Sequence, residues 1–512
     1  MSEAHDRHFV QRPPRVIPIR HLTLGRESVS RPNSQKGRRH IAVIVPAALM
    51  QPLEEKILGG QPGANRSGPQ SVGTSGHGRG RALMILRDPV HGLVAFEAEE
   101  EQLIVDLMQT RELQRLRRIR QLGFTSLSYP GADHTRFSHS VGTAHVMTRF
   151  LQRLRVLDRD LPTGQKLDTA SVEEALAAAL LHDLGHGPFS HLFEYAWPDG
   201  PSHEDWTMRI LLDATTDVHR LLSARNPSLP ARVARLVHGE HELTYLANIV
   251  SGTFDVDRCD YLLRDAHFTG VGYGRFDLDW LLRSLRLGPV TDEHTPSLAV
   301  DGPKGLPAIE SFILARLFMF QQVYFHKASR ASEWMLTKLL ARLTVLILDG
   351  RTPSATPPAL AELARGNDCS LSNYLDLDDA VLWQAIRGFQ SDPDLWLSDL
   401  AKRLFERRLY KTYELFGEQL EAAWREQALQ KVRAVAVEAG YDPDWCVGLD
   451  VATDTPFENG QAALSVLFPN GQKRAPGEVS VLLRRLSGET LERVRLIFPP
   501  DLRSKVIACL EN

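Results

Sequence analysis

The segment Leu180–His191, which reads LLHDLGHGPFSH, constrains this 512-residue chain more than any other feature. It places His182, Asp183, His186 and His191 within ten residues, among leucines, glycines and a phenylalanine. Single histidines on helices usually pack or face solvent, but burying several titratable groups together is costly unless a metal ion or a charged substrate compensates. Mixed nitrogen and carboxylate donors suit Mn, Fe, Co, Ni or Mg better than a thiolate-seeking ion. The segment therefore predicts a metal-dependent catalytic centre inside the fold.

The residues in front of this segment predict a short helix. Residues 171–174 (SVEE) have the pattern of a capping box, and the apolar run Ala175–Leu181 follows directly. The His-Asp pair after that run should then stand at the C-terminal end of the helix. Two glycines and a proline come next and allow a close turn, so we expect His186 and His191 to point into the same space as the pair.

The first 83 residues differ from the rest of the chain in charge and composition. They are rich in Arg, Pro, Gly and Ser and contain 13 Lys or Arg against 5 Asp or Glu, which leaves 47 against 58 in the remainder. Such a composition cannot bury enough apolar surface to offset its ordering entropy, so we expect residues 1–83 to be disordered. The abrupt change at Met84 makes that methionine a candidate start of translation.

Charge, cysteine usage and hydropathy narrow the class of protein. The formal net charge of −3 argues against a nucleic-acid-binding coat, and an acidic body that binds a polyphosphate must concentrate positive charge or metal ions at one place. The four cysteines are far apart and form no CxxC pair, as expected in a reducing cytoplasm. No apolar run approaches the roughly 18 residues of a membrane span. We therefore expect a cytoplasmic protein with neither a membrane nor a nucleic acid as its partner.

Hydrophobic periodicity predicts a mainly α fold with a smaller α+β region at its C-terminal end. Residues 84–350 show helical spacing and are expected to form the core domain. Residues 351–410, which begin with a Pro-rich stretch, are expected to form a helical extension. Residues 411–512 mix helical spacing with the short runs Leu464–Phe468 and Val479–Leu483, which predict strands of an α+β C-terminal region.

Three short motifs carry a resemblance to a known family. They are RFSHS at 136–140, the HD doublet at 182–183 and FDVD at 254–257. Their order, a histidine, a His-Asp doublet and a distant aspartate, resembles the metal-binding signature of the HD-domain superfamily of phosphohydrolases. The resemblance implies a helical HD-domain core that uses a divalent metal ion (Mn, Fe, Mg, Co or Ni) for hydrolysis. The metal ligands that it implies are His139, His182, Asp183 and Asp257.

Longer motifs narrow the resemblance within that superfamily to the deoxynucleoside triphosphate triphosphohydrolases. These motifs are DPVHG (88–92), LQRLRRIRQLG (113–123), YPGADHTRFSHS (129–140), HDLGHGPFSHLFE (182–194) and DVDRCDYLLRD (255–265). The likeness is to the dGTPases and to the SAM- and HD-domain type, although the leader shows no SAM-like helical domain. It covers roughly residues 84–330 and implies hydrolysis of a dNTP to deoxynucleoside and triphosphate.

The resemblance also implies catalytic roles around the metal. His186 is expected to contact the α-phosphate. His191, with Glu194 as its partner, is expected to protonate the departing 5′-oxygen. His203 and Glu204 are expected to line the catalytic centre. In this scheme His191 is the general acid and pairs with Glu194, three residues later on the same helical face. A neighbouring carboxylate would raise the pKa of that histidine towards its working range.

Substrate contacts are implied for a further set of residues. Those expected at phosphate are Arg136, Arg316 and Lys327, and those expected at the sugar are Gln121, Tyr261, Asp265 and Tyr324. Arg136 stands one helical turn before His139 and offers a planar fork to phosphate. Asp257, Tyr261 and Asp265 are spaced i, i+4 and i+8, so one helical face would carry a metal ligand and two sugar contacts.

Other interpretations of the same residues stay open. An HD centre could act instead on a nucleotide monophosphate, a cyclic dinucleotide or a guanosine polyphosphate alarmone, although the HDLGHGPFSH form, in place of an HDxGK form, disfavours cyclic dinucleotides. A nucleotide-sensing module with little turnover is a further alternative, which the complete set of metal ligands disfavours.

The resemblance extends to partners other than the substrate. It implies a homo-oligomer, a dimer or a tetramer, and an activating nucleotide near residues 88–92 and 113–118. Arg117 fits a phosphate contact at such a site. Gln109 stands where the SAM- and HD-domain type has an aspartate that reads guanine, so a guanine-specific activator site is not expected.

Deleting residues 1–83 should leave metal binding, melting temperature and hydrolysis largely intact, because a leader of this composition cannot bury enough apolar surface to form a core. Metal analysis, thermal melting and a nucleotide hydrolysis assay on the full and truncated chains would check this. A collapse in solubility or activity would show that the leader packs on the remainder of the protein.

Overall fold

A computed structural model describes residues 84–197, 200–288, 296–366, 369–457 and 464–511. The leader that we expect to be disordered, 1–83, lies outside the described residues. All described residues belong to one compact unit, which spans 77–512. The expected divisions of this unit after residues 350 and 410 stay predictions.

Most of the described chain is helical. The helices of its first half are α1 (Gln102–Leu107), α2 (Arg111–Arg115), α3 (Arg136–Leu157), α4 (Thr169–Leu181), α5 (His191–Ala196), α6 (His203–Leu212), α7 (Asp217–Arg225), α8 (Leu229–Val237), α9 (Thr244–Val250), α10 (Val256–Thr269), α11 (Leu278–Ser284) and α12 (Gly302–Met319). The later helices are α13 (Lys327–Leu348), α14 (Pro358–Ala364), α15 (Leu371–Leu375), α16 (Asp379–Phe389), α17 (Leu395–Phe405), α18 (Ala422–Glu438), α19 (Pro443–Cys446), α20 (Pro476–Val479), α21 (Val481–Leu486) and α22 (Arg503–Glu511). A π-helical turn, Phe320–Tyr324, lies between α12 and α13.

The strands are short and form three small sheets. They are β1 (Met84–Asp88), β2 (Gly92–Phe96), β3 (Leu285–Leu287), β4 (Leu298–Asp301), β5 (Lys411–Leu415), β6 (Gly448–Asp454), β7 (Ser465–Leu467), β8 (Lys473–Arg474) and β9 (Leu491–Phe498). Strands β1 and β2 form an antiparallel hairpin. The other two sheets have the orders β3-β4-β7-β8, in which β4 and β7 are parallel, and β5-β9-β6, which is antiparallel.

Helix α4 lies inside the core because its residues from Ala175 to Leu181 are all apolar. All of its residues from Ser171 to Leu181 are buried, and α3, α8 and α9 pack against it. A helix without a polar face must be covered in this way. Helix α10 packs on α3 in turn. The C-terminal end of α4, which the His-Asp pair follows, therefore lies in the interior of the protein.

The start of α4 differs from the one that the sequence pattern indicated. The N-cap is Asp168, whose Oδ1 accepts a hydrogen bond from the backbone N of Ser171 at 2.7 Å. The predicted capping box at 171–174 is therefore wrong. Glu174, its acidic member, is buried and pairs with Arg232 at 2.5 Å rather than closing on the backbone.

The turn after α4 depends on Gly185. A Cβ atom at this position would lie 2.0 Å from the carbonyl oxygen of His203 and 2.3 Å from the backbone N of Thr207, both in α6. The backbone N of Gly185 donates to the Thr207 hydroxyl at 2.9 Å. Helix α6 can approach the turn this closely only because the residue has no side chain, and the approach carries His203 to the turn.

The C-terminal part of the chain is an α+β arrangement. The strand predicted at Leu464–Phe468 is present as β7. The strand predicted at Val479–Leu483 is wrong, because the Ser480 hydroxyl accepts a hydrogen bond from Leu483 N at 3.0 Å and caps α21 instead. The predicted fold class, a mainly α core with a smaller α+β region, is confirmed. Within the described ranges, no helix combines the length and the apolarity that crossing a membrane requires.

Gly185→Ala should destabilise the protein by about 1–3 kcal/mol, the usual cost of forcing extra volume into a packed site. Urea denaturation of the variant and the wild type would measure the difference. Gly164→Ala is the matched control, since a Cβ atom there would meet nothing within 4 Å. Equal stability of the two variants would contradict the tight approach of α6.

Candidate active site

Four side chains from three parts of the chain converge at the C-terminal end of α4. One ligand atom from each of His139, His182 and Asp183 lies within 4.8 Å of the others. Asp257 Oδ1 lies 3.0 Å from Nε2 of His139 and 3.5 Å from Nε2 of His182. His139 comes from the first turn of α3 and Asp257 from the first turn of α10. The structure thus brings together all four residues predicted as ligands, and we call them the metal group.

The chemistry of the metal group fits a divalent cation. Nε2 of His139 and Nε2 of His182 are buried and make no hydrogen bond, although the Asp257 carboxylate lies close to both. A buried ring nitrogen without a partner is costly unless something binds it. Two imidazoles and two carboxylates form a donor set that suits Mn, Fe, Co, Ni or Mg.

Electrostatics also favour positive charge at this point. Burial by itself would lower the pKa of His139, but the carboxylates of Asp257 and Asp260 raise it to about 10. Burial likewise opposes ionisation of Asp257, yet contacts with His139 and His182 hold its pKa below the usual range. A bound cation would supply this positive charge in place of the protons, since metal binding requires neutral histidine ligands.

Arg136 lies beside the metal group. It is buried, its guanidinium contacts the Asp183 carboxylate, and its Nε donates to the Ser190 hydroxyl at 2.8 Å. Phe189 and Ser190 have positive φ angles of 56° and 62°, a conformation that residues other than glycine rarely adopt. The backbone N of Phe189 donates to Asp379 Oδ1 at 2.8 Å. Arg136 and Asp379 therefore hold this turn from both sides.

A cluster of three histidines and a glutamate lies next to the metal group. His186 Nε2 is 3.2 Å from Asp183 Oδ1, and the His186 ring stacks on that of His203 with centroids 4.0 Å apart. His203 Nδ1 lies 2.8 Å from Glu194 Oε1. His191 Nδ1 lies 3.8 Å from the same oxygen. We call His186, His191, Glu194 and His203 the histidine cluster.

The expected pair of His191 with Glu194 is present as an ion pair, but Glu194 has a shorter contact with His203. Helix α6 brings His203 within hydrogen-bond distance of Glu194, whereas His191 stays beyond it. Withdrawal from bulk water and then the charges of Arg136 and His203 lower the pKa of His191 to about 4. Glu194 raises this pKa, as expected, but does not offset the other contributions. Because 57% of this side chain remains accessible to solvent, screening by solvent moderates the lowering of its pKa. Burial and Arg136 also lower the pKa of His186, which keeps its ring neutral.

The residues expected at the sugar form a connected group of their own. The Tyr324 hydroxyl donates to Asp265 Oδ2 at 2.8 Å, and His134 Nε2 lies 2.7 Å from Asp265 Oδ1. The backbone N of Gln121 donates to the carbonyl of His134 at 3.0 Å, and the Gln121 side-chain oxygen is buried without a partner. The rings of Tyr261 and Tyr324 have centroids 6.3 Å apart. We call these five residues the tyrosine group.

Sequence reasoning missed His134, although this residue lies in the motif at 129–140. It is buried and stacks on Phe268, with ring centroids 4.6 Å apart. The motif itself was the available signal, since His134 stands two residues before Arg136. His134 and Tyr324 each contact one oxygen of the Asp265 carboxylate within hydrogen-bond distance. A sugar hydroxyl that donates to Asp265 would therefore have to share one of these oxygens.

The remaining predicted residues have other surroundings. Arg316 Nη2 pairs with Asp454 Oδ1 at 2.7 Å, and its Nη1 donates to the carbonyl of Pro456 at 3.0 Å. No sequence pattern marked Asp454, which ends strand β6. Lys327 begins α13, Glu204 lies in the first turn of α6, and both are exposed.

Comparisons with known proteins agree with this geometry. Residues 136–265 match the HD-domain family. The chain is 35% identical over 427 residues to the uncharacterized protein YwfO of Bacillus subtilis, which covers 82% of this chain and 92% of YwfO. It is 31% identical over 270 residues to the deoxynucleoside triphosphate triphosphohydrolase SAMHD1 homolog of Dictyostelium discoideum, which covers 50% of this chain and 48% of that protein. A crystal structure of a phosphohydrolase from Bacteroides thetaiotaomicron is similar with a TM-score of 0.68 and 28% identity, covering 81% of this chain and 100% of that one.

His182→Ala or Asp183→Ala should remove the bound metal and abolish hydrolysis, because each deletes a proposed ligand of the ion that would activate the attacking water. His182→Ala should cost little stability, whereas Asp183→Ala should also lower the melting temperature, because it leaves Arg136 buried without its carboxylate. Elemental analysis, a hydrolysis assay and thermal melting would separate these effects. His219→Ala is a matched control, since Nδ1 of His219 lies 3.0 Å from the carbonyl of Leu211 just as Nδ1 of His182 lies 3.0 Å from that of Ala179. Near-normal rates at unchanged metal content would contradict the metal group.

Proposed function

Since the chain belongs to the HD-domain family and is an HD-domain phosphohydrolase, we propose that it hydrolyses deoxynucleoside triphosphates to deoxynucleoside and triphosphate. Helix α10 carries the main support, because it contributes Asp257 to the metal group and Asp265 to the tyrosine group. At 1.5 Å per residue these positions are about 12 Å apart along the helix axis. That distance suits a substrate that extends from a metal-bound phosphate to a sugar. The likeness to a deoxynucleoside triphosphate triphosphohydrolase over half of the chain supports the same substrate class.

The metal group and the nearby cations are proposed to bind the triphosphate. His139, His182, Asp183 and Asp257 would hold the divalent ion (Mn, Fe, Mg, Co or Ni). When bound, such an ion polarises a phosphoryl oxygen and lowers the pKa of a bound water.

Arg136 contacts Asp183 and would also meet the α-phosphate as a hydrogen-bond donor. The neutral His186 has a single N–H, which would have to turn from Asp183 to the α-phosphate. Arg316 and Lys327 are proposed for the outer phosphates. For Arg316 this contact would replace its ion pair with Asp454.

The histidine cluster is proposed to move the proton. His191 would donate it to the departing 5′-oxygen, as a general acid. Its lowered pKa leaves the ring neutral at pH 7, and the negative charge of a triphosphate would raise that pKa as the substrate binds. Glu194, which is hydrogen-bonded to His203, adds further negative charge beside His191. Glu204, exposed next to His203, is proposed at the edge of the centre.

The tyrosine group is proposed to select the sugar. Tyr261, half-buried on the same face of α10 as Asp257, would pack under the C2′ position and leave no room for a 2′-hydroxyl. The buried and unpartnered oxygen of Gln121 would accept a hydrogen bond from the 3′-hydroxyl, with Asp265 and Tyr324 beside it. A buried acceptor without a partner is what such a contact requires.

The proposal also covers the setting in which the enzyme works. We propose a cytoplasmic homo-oligomer, a dimer or a tetramer, with an activating nucleotide near residues 88–92 and 113–118. Arg117 supports the activator site, since its guanidinium is exposed and stacks 3.5 Å from the ring centroid of Phe137. That geometry leaves its outer N–H groups free to meet phosphate.

The wild type with Mn or Mg should cleave dGTP or dATP with a kcat/KM about 10²-fold above that for GTP or ATP, the size expected when a pocket rejects one added hydroxyl. Tyr261→Ala should narrow that gap, because it removes the ring under C2′. Triphosphate release, followed by ion-exchange chromatography, is the measurement. Tyr413→Ala, at a half-buried tyrosine of β5, is the control that should keep the gap.

Equal cleavage of ribonucleotides and deoxyribonucleotides by the wild type would refute the deoxynucleotide assignment while leaving the HD centre intact. Release of pyrophosphate from an alarmone, or of phosphate from a monophosphate, with no triphosphate from any dNTP, would favour the alternative substrates instead.

A further inference from the structure

Asp260 is a fully buried carboxylate that touches the metal group from behind. It lies on α10, three residues after Asp257, and its side chain is 0% exposed. Oδ2 lies 2.8 Å from Nδ1 of His139 and accepts from Arg264 Nε at 2.8 Å. Oδ1 lies 2.7 Å from Nε2 of His91 and accepts from Arg264 Nη2 at 2.9 Å. Nothing in the proposed reaction uses this residue.

The contact with Asp260 decides which nitrogen of His139 carries the proton. Two hydrogen bonds from Arg264, which never loses its charge, keep the Asp260 carboxylate ionised and therefore able only to accept. Nδ1 of His139 must then be the donor. A neutral imidazole that carries its proton on Nδ1 has its lone pair on Nε2. Nε2 of His139 is the atom that points towards the other three residues of the metal group, and it makes no hydrogen bond.

We infer that Asp260 is a positioning residue for the metal site: it orients the His139 ring and keeps Nε2 available as a ligand. Carboxylates that accept from the second nitrogen of a metal-bound histidine act in this way in other metal sites. The inference rests on the metal group proposed above and does not depend on which nucleotide is the substrate.

Residues of the β1-β2 hairpin contact Asp260 and its partner Arg264. Arg264 Nη1 donates to Asp88 Oδ2 at 2.8 Å. Asp88 Oδ1 accepts from the backbone N of Val90 and of His91, each at 2.9 Å, in the turn between β1 and β2. The side chain of that same His91 contacts Asp260, so Asp88, His91, Asp260 and Arg264 close a ring of contacts. The hairpin therefore takes part in holding a metal ligand.

Helix α3 has a glycine, Gly142, where Asp260 and Arg264 pack against it. A Cβ atom there would lie 2.0 Å from Asp260 Oδ1 and 2.3 Å from Arg264 Nη2. Gly142 lies three residues after His139 on the same helix, one turn along it. Only a residue without a side chain lets the carboxylate and the guanidinium come this close to α3.

Asp260→Asn in the full chain should weaken the affinity for Mn²⁺ by about 10–100-fold, the usual cost of losing a carboxylate behind a metal-bound histidine. The amide also carries donors, so it can turn one towards Nδ1 and place the imidazole proton on Nε2. Competition for Mn²⁺ between the protein and a chelator of known affinity is the measurement, and it needs no substrate. Asp450→Asn is the matched control, because Asp450 is a buried carboxylate paired with Arg330 through Oδ1 at 2.6 Å. It should keep wild-type affinity for Mn²⁺.

A folded Asp260→Asn protein with wild-type affinity for Mn²⁺ would overturn the inference, and so would an equal loss in Asp450→Asn. If Asp260→Asn does not fold, His91→Gln decides, since it removes one of the contacts of Asp260 and should weaken Mn²⁺ binding several-fold. Unchanged affinity in that variant would then overturn the inference. A wild type that binds no Mn²⁺ would instead refute the metal group itself, which distinguishes the two failures.

Discussion

Burial of charge at the end of α4 is the constraint on which the surrounding structure depends. Asp183 is buried, and four side chains approach its carboxylate: Arg136, His139, His182 and His186. An ionised carboxylate in the interior is tolerated only where cations and hydrogen-bond donors surround it. Those donors come from α3 and from the loop after α4, so the two must meet here. Asp257 adds α10 to the same point, which accounts for the packing of α10 on α3.

The loop that follows the His-Asp pair is buried although it is not helical. Backbone groups in such a loop need partners from outside it. Arg115 Nη1 donates to the carbonyl of His186 at 2.9 Å, and the Tyr374 hydroxyl donates to that of Gly185 at 2.6 Å. The Asp379 carboxylate accepts a hydrogen bond from the backbone N of Phe189. One residue of the core domain and two from beyond residue 350 thus satisfy the loop and hold the left-handed turn at 189–190, where about 1–3 kcal/mol of strain per residue is usual.

Ionic contacts also join the C-terminal strands to the core helices. Asp454 at the end of β6 pairs with Arg316 of α12, and Asp450 in the same strand pairs with Arg330 of α13. These aspartates are largely buried, and each is matched by a guanidinium with little exposure. An arginine predicted to bind phosphate therefore already has an anionic partner. Any phosphate that binds there must compete with Asp454.

Local pattern in the sequence was enough for some features that depend on neighbouring residues, although it was wrong about the capping box at 171–174 and the strand at 479–483. The helical face with Asp257, Tyr261 and Asp265 and the turn between Arg136 and His139 follow from short spacing. The four expected metal ligands were instead implied by the resemblance to the HD-domain superfamily. Contacts between distant elements were decided only by packing. Glu194 bonds His203 rather than His191 because Gly185 admits α6, and Asp260 reaches His139 because Gly142 admits α10. No spacing rule covers such contacts, since the distance between two side chains on different helices depends on how closely those helices pack.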